Sequence, residues 1–415
     1  MKNFILLISA FFLVAASCNP VQDADMGPVE ANLRQMTATE SEVVQSNADF
    51  AVRFFQEMEK ENLDNYFTGP FSIHQALSMT MNGNDGDVLQ EYMDVLAYHG
   101  LSKEEANLAV KSLTSYLKTV DPKVKVNIAN GIWYREGLKV QATFKSEMQN
   151  YYNANISALD FKEPNAHQVI NNWIASQTND LIKDILDRIP SEAVMYLVNA
   201  IYFKGDWKYQ FDPSKTKKAP FFPEKGGSVQ VDMMESKDKV GLWWGGDAKV
   251  SYMEIPYSTG QYQMAIIQPH SGNLSDILTE ITPENLSNWS KNAYETSVIL
   301  KMPKFKMKHK IENLKEQLES MGLVTAFNPS PANFTKVFEG EHPPMLISRV
   351  IHEALIEVDE KGTEAAAATV VEMEVTSMPS GPVVITLDNP FYFLIKEKSS
   401  GTILFLGKLG NPSLL

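Results

Sequence analysis

Residues 357–376 read EVDEKGTEAAAATVVEMEVT, and this stretch carries signals for three different structures. The letters DEKG predict a turn, EAAAAT a short helix and TVVEMEVT a strand. When 362–375 is read by alternation, one face is free of charge and the other carries all three glutamates, which is the pattern of a half-buried strand. An Ala-rich surface helix is the alternative, and it fits Glu364 to Thr369 but not the alternation that follows.

The uncharged face of this segment begins with small side chains, at Thr363, Ala365 and Ala367. Small side chains can enter between elements that are already packed together. Alanine also has a low β propensity, which suits a segment that must be able to leave a sheet as well as join it. We therefore expect one segment that is a loop in one state of the protein and a buried strand in another.

The rest of the chain predicts one large domain. It has 415 residues, of which 44% are hydrophobic and 21% are charged. From 42 to 415 there are no repeats and no Gly- or Ser-rich linker, so we expect a single mixed α/β domain with large, mostly antiparallel sheets. The formal net charge of −14 argues against nucleic acid as a partner, because such partners require clustered Lys and Arg.

Hydrophobic periodicity gives the expected elements. Helices are predicted from 42 to about 58 and near 72–82, 102–119, 142–151, 165–187 and 311–321. Strands are predicted near 124–134, 194–203, 262–268, 296–302, 347–358, 383–387, 391–396 and 402–408.

The first residues, MKNFILLISAFFLVAASC, are typical of an export signal, with Lys2 at the start, an apolar run and small residues at its end. The sequence Ala-Ala-Ser-Cys resembles a bacterial lipobox, in which Cys18 would be lipidated. We expect a signal peptide over 1–17 and a lipidated tether over 18–41 that anchors the protein to the bacterial outer membrane or cell surface. A plain signal peptide with an incidental cysteine, and hence a secreted or periplasmic protein, is the alternative.

The motifs of catalysis and metal binding are missing from the sequence. It has no G-x-S-x-G, Walker or G-x-G-x-x-G motif. The pair His352-Glu353 is followed by Ile356 where a zinc helix of the H-E-x-x-H type requires a second histidine. We therefore expect a protein that is not an enzyme and that holds no cofactor and no metal.

Seven segments, taken in order, resemble the inhibitory type of the serpin family. Each motif alone is weak, but together they span the chain from about 42 to 415. They are Asn65–Ile73, Leu197–Trp207, Val231–Met234, Met302–Phe305, Val358–Thr369, Asn389–Phe393 and Phe405–Lys408. One departure is Gly69, where the family usually has serine.

The resemblance implies a fold with three β-sheets, a shell of helices and an exposed reactive loop at about 360–382. It implies a monomeric serine protease inhibitor that acts as a suicide substrate, sometimes also on cysteine proteases. The protease cleaves the loop and forms an acyl-enzyme, and the freed loop inserts into the main sheet and traps it as a covalent complex. A serpin-fold protein that binds or acts as a scaffold without inhibition is the alternative.

The resemblance also assigns residues to three regions of the fold, the hinge, the shutter and the breach. The hinge, which must insert first, comprises Glu360, Gly362, Thr363, Glu364, Ala365, Ala366, Ala367, Ala368 and Thr369. The shutter beneath the opening sheet comprises Ser72, Asn199 and His352, and the breach at the top comprises Trp207, Lys304 and Glu360.

The family spacing counted from Glu360 places the reactive bond at Thr376-Ser377, with Val375-Thr376 and Ser377-Met378 as alternatives. These residues are small or aliphatic, so an elastase- or subtilisin-like protease is the expected target.

Overall fold

The computed structural model describes residues 29–190, 192–340, 344–347, 350–363 and 383–415. The described helices surround two sheets. They are α1 (Ala38–Glu59), α2 (Pro70–Met81), α3 (Gly86–Val95), α4 (Lys103–Thr119), α5 (Ala142–Tyr152), α6 (Ala166–Gln177), α7 (Pro283–Lys291) and α8 (Lys315–Ser320). Within the described ranges, no helix is both long and apolar enough to span a bilayer.

The described strands fall mostly in the second half of the chain. They are β1 (Asn65–Thr68), β2 (Lys125–Arg135), β3 (Asn155–Leu159), β4 (Met195–Asp206), β5 (Lys217–Phe221), β6 (Val229–Glu235), β7 (Val240–Gly246), β8 (Val250–Pro256), β9 (Tyr262–Pro269), β10 (Tyr294–Pro303), β11 (Phe305–Ile311), β12 (His352–Val358), β13 (Gly362–Thr363), β14 (Val383–Thr386), β15 (Phe391–Glu397) and β16 (Ile403–Leu409).

One sheet has six strands in the order β11-β12-β13-β4-β2-β3. Its two halves are well paired: β11 runs antiparallel to β12, and β4 runs antiparallel to β2 along most of its length. The two halves meet through β13, which is only two residues long and pairs with β12 on one side and β4 on the other. The first residues of the predicted reactive loop therefore lie at the centre of this sheet.

The other sheet has ten strands, in the order β1-β16-β15-β9-β8-β7-β10-β6-β5, with β14 paired to β10. Strand β10 links β7 to β6 in this sheet, because its first half pairs with β7 and its last residues pair with β6. Strand β14 lies parallel to β10 and follows the reactive loop in sequence. The mixed α/β fold is confirmed, and the strands of the described residues are hydrogen-bonded into two continuous sheets.

Helix α2 passes through the interior and carries part of the candidate site. Pro70 begins the helix, where a missing N–H costs nothing. Every residue of the helix except Ala76 is buried, so it is enclosed on all sides rather than amphipathic. It packs against β4 and β16, which places Ser72 beneath the six-stranded sheet.

The predicted helix over 165–187 is too long. Helix α6 ends at Gln177, because Asn179 and Asp180 adopt left-handed backbone conformations with φ of 52° and 62°. The chain beyond it packs the apolar side chains of Ile182 and Leu186 against the six-stranded sheet. The apolar residues after Gln177, which suggested that the helix continues, therefore belong to an irregular segment.

Two further boundaries differ from the prediction. Helix α1 begins at Ala38, because Thr37 and Glu40 form a reciprocal capping box. In the preceding segment, the Asn32 N–H donates to the Val120 carbonyl at the end of α4 over 2.7 Å. The predicted helix over 311–321 is also wrong at its start, because strand β11 runs as far as Ile311.

Candidate functional site

The hinge enters the six-stranded sheet at Gly362 and Thr363. Gly362 lies opposite Asp206 of β4, and Thr363 lies between Gly205 of β4 and Val358 of β12. Both hinge residues are buried. Two residues of the predicted reactive loop therefore form a short central strand between β4 and β12.

Glycine is required at 362 by the closeness of β4. A Cβ atom at this position would lie 2.2 Å from the Gly205 carbonyl oxygen and 2.6 Å from the Asp206 Cα. Both of these are backbone atoms, which cannot move without displacing the strand. The absence of a side chain at Gly362 is thus what permits the hinge to enter here.

Thr363 points into the interior, as the alternation in the sequence predicts. Its side chain is 4% exposed, and its hydroxyl lies 2.7 Å from the hydroxyl of Tyr257. The ring of Tyr257 stacks on Trp207 with 4.3 Å between the ring centres. Sequence reasoning missed Tyr257, because nothing in the turn that follows β8 indicates a contact with a residue 106 positions further along the chain.

The three predicted breach residues surround this entry point. The Lys304 ammonium donates to a Glu360 carboxylate oxygen over 2.8 Å, and the Thr216 hydroxyl donates to the other oxygen over 2.8 Å. The Trp207 indole N–H donates to the Asp359 carbonyl over 2.9 Å. The structure therefore brings Trp207, Lys304 and Glu360 together around the start of the hinge.

The electrostatics of the breach favour its ion pair. Burial by itself would raise the pKa of Glu360, but hydrogen bonds, first among them that from Lys304, outweigh it and lower the pKa. The hydrogen bond to Glu360 in turn raises the pKa of Lys304. Both groups therefore stay charged near neutral pH.

Two main-chain hydrogen bonds hold the turn before β13. The Trp207 N–H donates to the Lys361 carbonyl over 2.7 Å, and the Phe211 N–H donates to the Glu360 carbonyl over 2.9 Å. The sequence DEKG was predicted to be a turn, and the Asp359 N–H does close onto the Gly362 carbonyl over 3.0 Å. This turn fixes where the hinge enters the sheet.

A narrow apolar cleft has Thr363 among its lining residues. Ile201 and Phe203 of β4 line one side, and Leu355 and Ile356 of β12 line the other. Among the described residues, β4 and β12 are joined only through β13. A strand that continued from Thr363 would therefore run along this cleft.

The shutter residues form a polar cluster beneath the sheet. The Ser72 hydroxyl donates to the Asn199 side-chain carbonyl oxygen. The Asn199 amide donates in turn to the side-chain oxygens of Asn130 and Gln75, and Asn130 donates to the Tyr152 carbonyl over 2.7 Å. Ser72 and Asn199 were predicted to act together and do lie in contact, while Asn130 and Gln75 are members of the cluster that sequence reasoning missed.

His352 is fixed differently from the other two shutter residues. Its Nε2 accepts the backbone N–H of Gly69 over 2.9 Å, with no direct hydrogen bond to Ser72 or Asn199 among the described contacts. Burial, with the neighbouring His309, lowers the pKa of His352 to about 3, so the ring is neutral and can accept this bond. A Cβ at Gly69 would lie 3.2 Å from the Ile201 side chain, which would have to shift by a few tenths of an ångström to accept it.

The remaining predicted site residues lie outside the described residues. These are the hinge positions Glu364, Ala365, Ala366, Ala367, Ala368 and Thr369, the reactive-bond positions Val375, Thr376, Ser377 and Met378, and the lipidation position Cys18. In the part of the chain that the structure describes, no group of three or more His, Cys, Asp or Glu side chains is arranged to hold a metal ion.

The start of the predicted reactive loop lies within the central sheet, and comparison with known proteins identifies the family. The model of the serpin (serine protease inhibitor) family matches residues 45–412, and the chain belongs to this family. The chain is 32% identical to an uncharacterized serpin-like protein of Methanosarcina acetivorans, with 92% of this chain and 91% of that protein covered. It is also 32% identical to human antithrombin-III, with 89% and 82% covered.

Solved structures show the same relationship. The thermophilic serpin tengpin in its native state has a TM-score of 0.80 and 29% identity, covering 92% of this chain and 97% of that one. Human thyroxine-binding globulin, solved in complex with its hormone, also has a TM-score of 0.80, with 28% identity and coverage of 90% and 100%. The family thus includes both protease inhibitors and binding proteins, which are not catalysts.

Proposed function

We propose that this serpin inhibits serine proteases by inserting its cleaved reactive loop as a strand between β4 and β12. The position of Gly362 and Thr363 carries this proposal, because in the uncleaved chain Gly362 is paired to β4 and Thr363 is paired to both β4 and β12. The apolar cleft lined by Thr363 has residues of both β4 and β12 in its walls. A protease attached to the loop as an acyl-enzyme would be carried along the sheet as insertion proceeds.

The energetics support insertion. Residues 364–375 would add about 40 Å of strand at roughly 3.3 Å per residue. Each residue gains hydrogen bonds on both sides and buries part of a side chain, which is worth about 1–2 kcal/mol per residue. The uncleaved protein is then a kinetic trap whose lifetime, rather than its equilibrium stability, determines how long it remains active.

The composition of the hinge favours inhibition over binding alone. After Thr363, the residues Ala365 and Ala367 alternate inward in the sequence, and neither brings charge or bulk into the sheet. Proline, charge or a large side chain here would slow insertion. The alternative, a serpin that binds a ligand or acts as a scaffold, has a precedent in the similarity to thyroxine-binding globulin.

The chemistry of the predicted bond selects the target. Thr376 and Ser377 are small, and no Lys or Arg occurs between Gly362 and Leu387. A trypsin-like pocket would therefore find no basic residue, whereas elastase- and subtilisin-like proteases accept small or aliphatic ones. Cysteine proteases with similar preferences are further candidates.

A denaturing gel tests the proposal. The mature protein is incubated with an elastase-like and a subtilisin-like protease, and a band that contains both chains and survives SDS is expected. Complete cleavage of the loop with full protease activity would contradict inhibition and favour the binding alternative. Mass spectrometry of the released C-terminal peptide identifies the bond among residues 375–378.

For localisation, we propose that Cys18 carries a lipid and anchors the inhibitor to the bacterial outer membrane or cell surface, where it shields the envelope from proteases. The lipobox-like sequence before Cys18 supports this proposal. Cys18→Ser should move the protein from the membrane fraction to the soluble fraction. Unchanged fractionation would refute lipidation and leave a secreted or periplasmic inhibitor.

A further inference from the structure

The hydroxyl of Tyr257 has the hinge as its partner. It lies 2.7 Å from the Thr363 hydroxyl. Among the described residues, neither of these two hydroxyls has another hydrogen-bond partner. The Tyr257 side chain is 0% exposed, so its hydroxyl has no contact with solvent while Thr363 is in place. A hydroxyl buried in this way strongly favours the state in which it is paired.

The phenol of Tyr257 is held by contacts other than the one to Thr363. Its ring stacks on Trp207 and meets Phe203 edge to face, with 5.1 Å between the latter ring centres. The Tyr257 N–H donates to the Tyr262 carbonyl over 2.9 Å, which closes the turn between β8 and β9. Burial raises the pKa of Tyr257, so the hydroxyl keeps its proton. The group that receives Thr363 is therefore already in place.

We propose that Tyr257 is a positioning residue that holds Thr363 between β4 and β12 and so primes the insertion of the reactive loop. This inference rests on the proposed inhibitory function. Ordering a strand costs conformational entropy for each residue that it fixes. Because Tyr257 keeps the first inward residue in place, the freed loop extends an existing strand rather than starting one.

Priming matters because two processes compete after cleavage. The loop inserts and traps the protease, or water hydrolyses the acyl-enzyme and releases it. Without the hydroxyl of Tyr257, Thr363 leaves the sheet more often and insertion starts later. More inhibitor molecules are then consumed for each protease trapped, while the rate at which the protease attacks the loop is not reduced.

The test uses the variant Tyr257→Phe, which keeps the ring and its stacking on Trp207. Native-state amide exchange in the peptide 359–363 should become about three to ten times faster, as expected for the loss of one buried hydrogen bond. The number of inhibitor molecules consumed per trapped protease should rise as well. Unchanged exchange at 359–363 would overturn the inference.

Two comparisons separate priming from a general loss of stability. Tyr98→Phe is the matched control, because Tyr98 is also buried and its hydroxyl lies 2.9 Å from the Ser78 hydroxyl, away from the hinge. It should leave both exchange at 359–363 and the stoichiometry unchanged, and an equal effect would overturn the inference. Thr363→Val should reproduce Tyr257→Phe, and the double variant should exchange no faster than either single one.

The two measurements also separate this inference from the proposed function. Amide exchange does not involve a protease. If the wild-type protein traps none but Tyr257→Phe still accelerates exchange at 359–363, inhibition fails while the contact that holds the hinge stands. If trapping is normal and unaffected by Tyr257→Phe, inhibition stands and priming fails.

Discussion

Gly362 lies so close to Gly205 that a methyl group on its Cα would come within 2.2 Å of the Gly205 carbonyl oxygen. This relationship places the first residues of the predicted reactive loop against β4. The hinge residue can occupy this place only because it has no side chain, and its neighbour Thr363 follows it into the interior.

Gly362→Ala should therefore expel the hinge from the sheet. The added Cβ meets two backbone atoms of β4, so either β13 leaves or β4 is displaced. We expect faster amide exchange over 359–363 than in wild type and a loss of trapping of at least several-fold. As a control, Gly227→Ala places its Cβ in open space and should behave as wild type. Undisturbed exchange in Gly362→Ala would contradict the close approach.

Thr363→Arg should turn the inhibitor into a substrate. The Thr363 side chain is 4% exposed and faces Tyr257, so a guanidinium would enter the sheet without a partner. Burying an unpaired charge costs several kcal/mol, enough to let hydrolysis overtake insertion. Thr363→Ser keeps the hydroxyl and is the matched control. We expect loop cleavage without an SDS-stable complex in the first variant and a stable complex in the second.

Lys304→Ala should weaken the breach only modestly. The Lys304 side chain is 42% exposed, so its ion pair with Glu360 is partly screened by solvent. A loss of about 0.5–1 kcal/mol is expected, measured as faster unfolding in denaturant, and it should shrink in high salt. Lys218→Ala removes an ion pair with Asp232 that is exposed on both sides, and it should have no measurable effect. Equal effects from both variants would argue against a special role for the breach.

Acid should destabilise the native state through two buried histidines. Burial lowers the pKa of His352 to about 3 and that of His74 to about 4. The unfolded chain therefore binds more protons below about pH 6.5, and native stability falls by up to about 1.4 kcal/mol per pH unit for each histidine. Thermal unfolding at a fixed heating rate should show a lower midpoint at about pH 5 than at about pH 7.5.

Substituting one histidine identifies its share of this pH dependence. His352→Gln removes the group that would have to charge, so its unfolding midpoint should depend less steeply on pH than that of wild type. The exposed His99 provides the control, and His99→Gln should keep the wild-type slope. An unchanged slope in His352→Gln would show that the shutter histidine does not contribute.

Local pattern was enough to predict much of this fold. Strands β2, β15 and β16 lie within about a residue of their predicted bounds, because alternation and apolar content depend on the chain's own neighbours. The inward orientation of Thr363 was also readable from alternation. The motifs shared with serpins predicted that Lys304 and Glu360 form a pair, and the two side chains are in contact in the structure.

What could not be predicted depends on contacts between distant parts of the chain. Tyr257 meets the hinge only because β8, β4 and β13 converge in space, and no spacing in the sequence records this. The end of α6 depends on left-handed conformations at Asn179 and Asp180, which a helical pattern does not reveal. Strand β11 was missed for a similar reason, since its pairing with β12 spans an intervening helix.

The insertion of the loop between β4 and β12 is tested most directly by the stability of the cleaved protein. A protease that the inhibitor does not trap is used to cut within 370–382, and thermal unfolding is compared before and after cleavage. If residues 364–375 become a central strand, the cleaved protein should unfold at a much higher temperature, and Thr363→Arg should lose most of this gain. An unfolding temperature that does not rise after cleavage would contradict insertion.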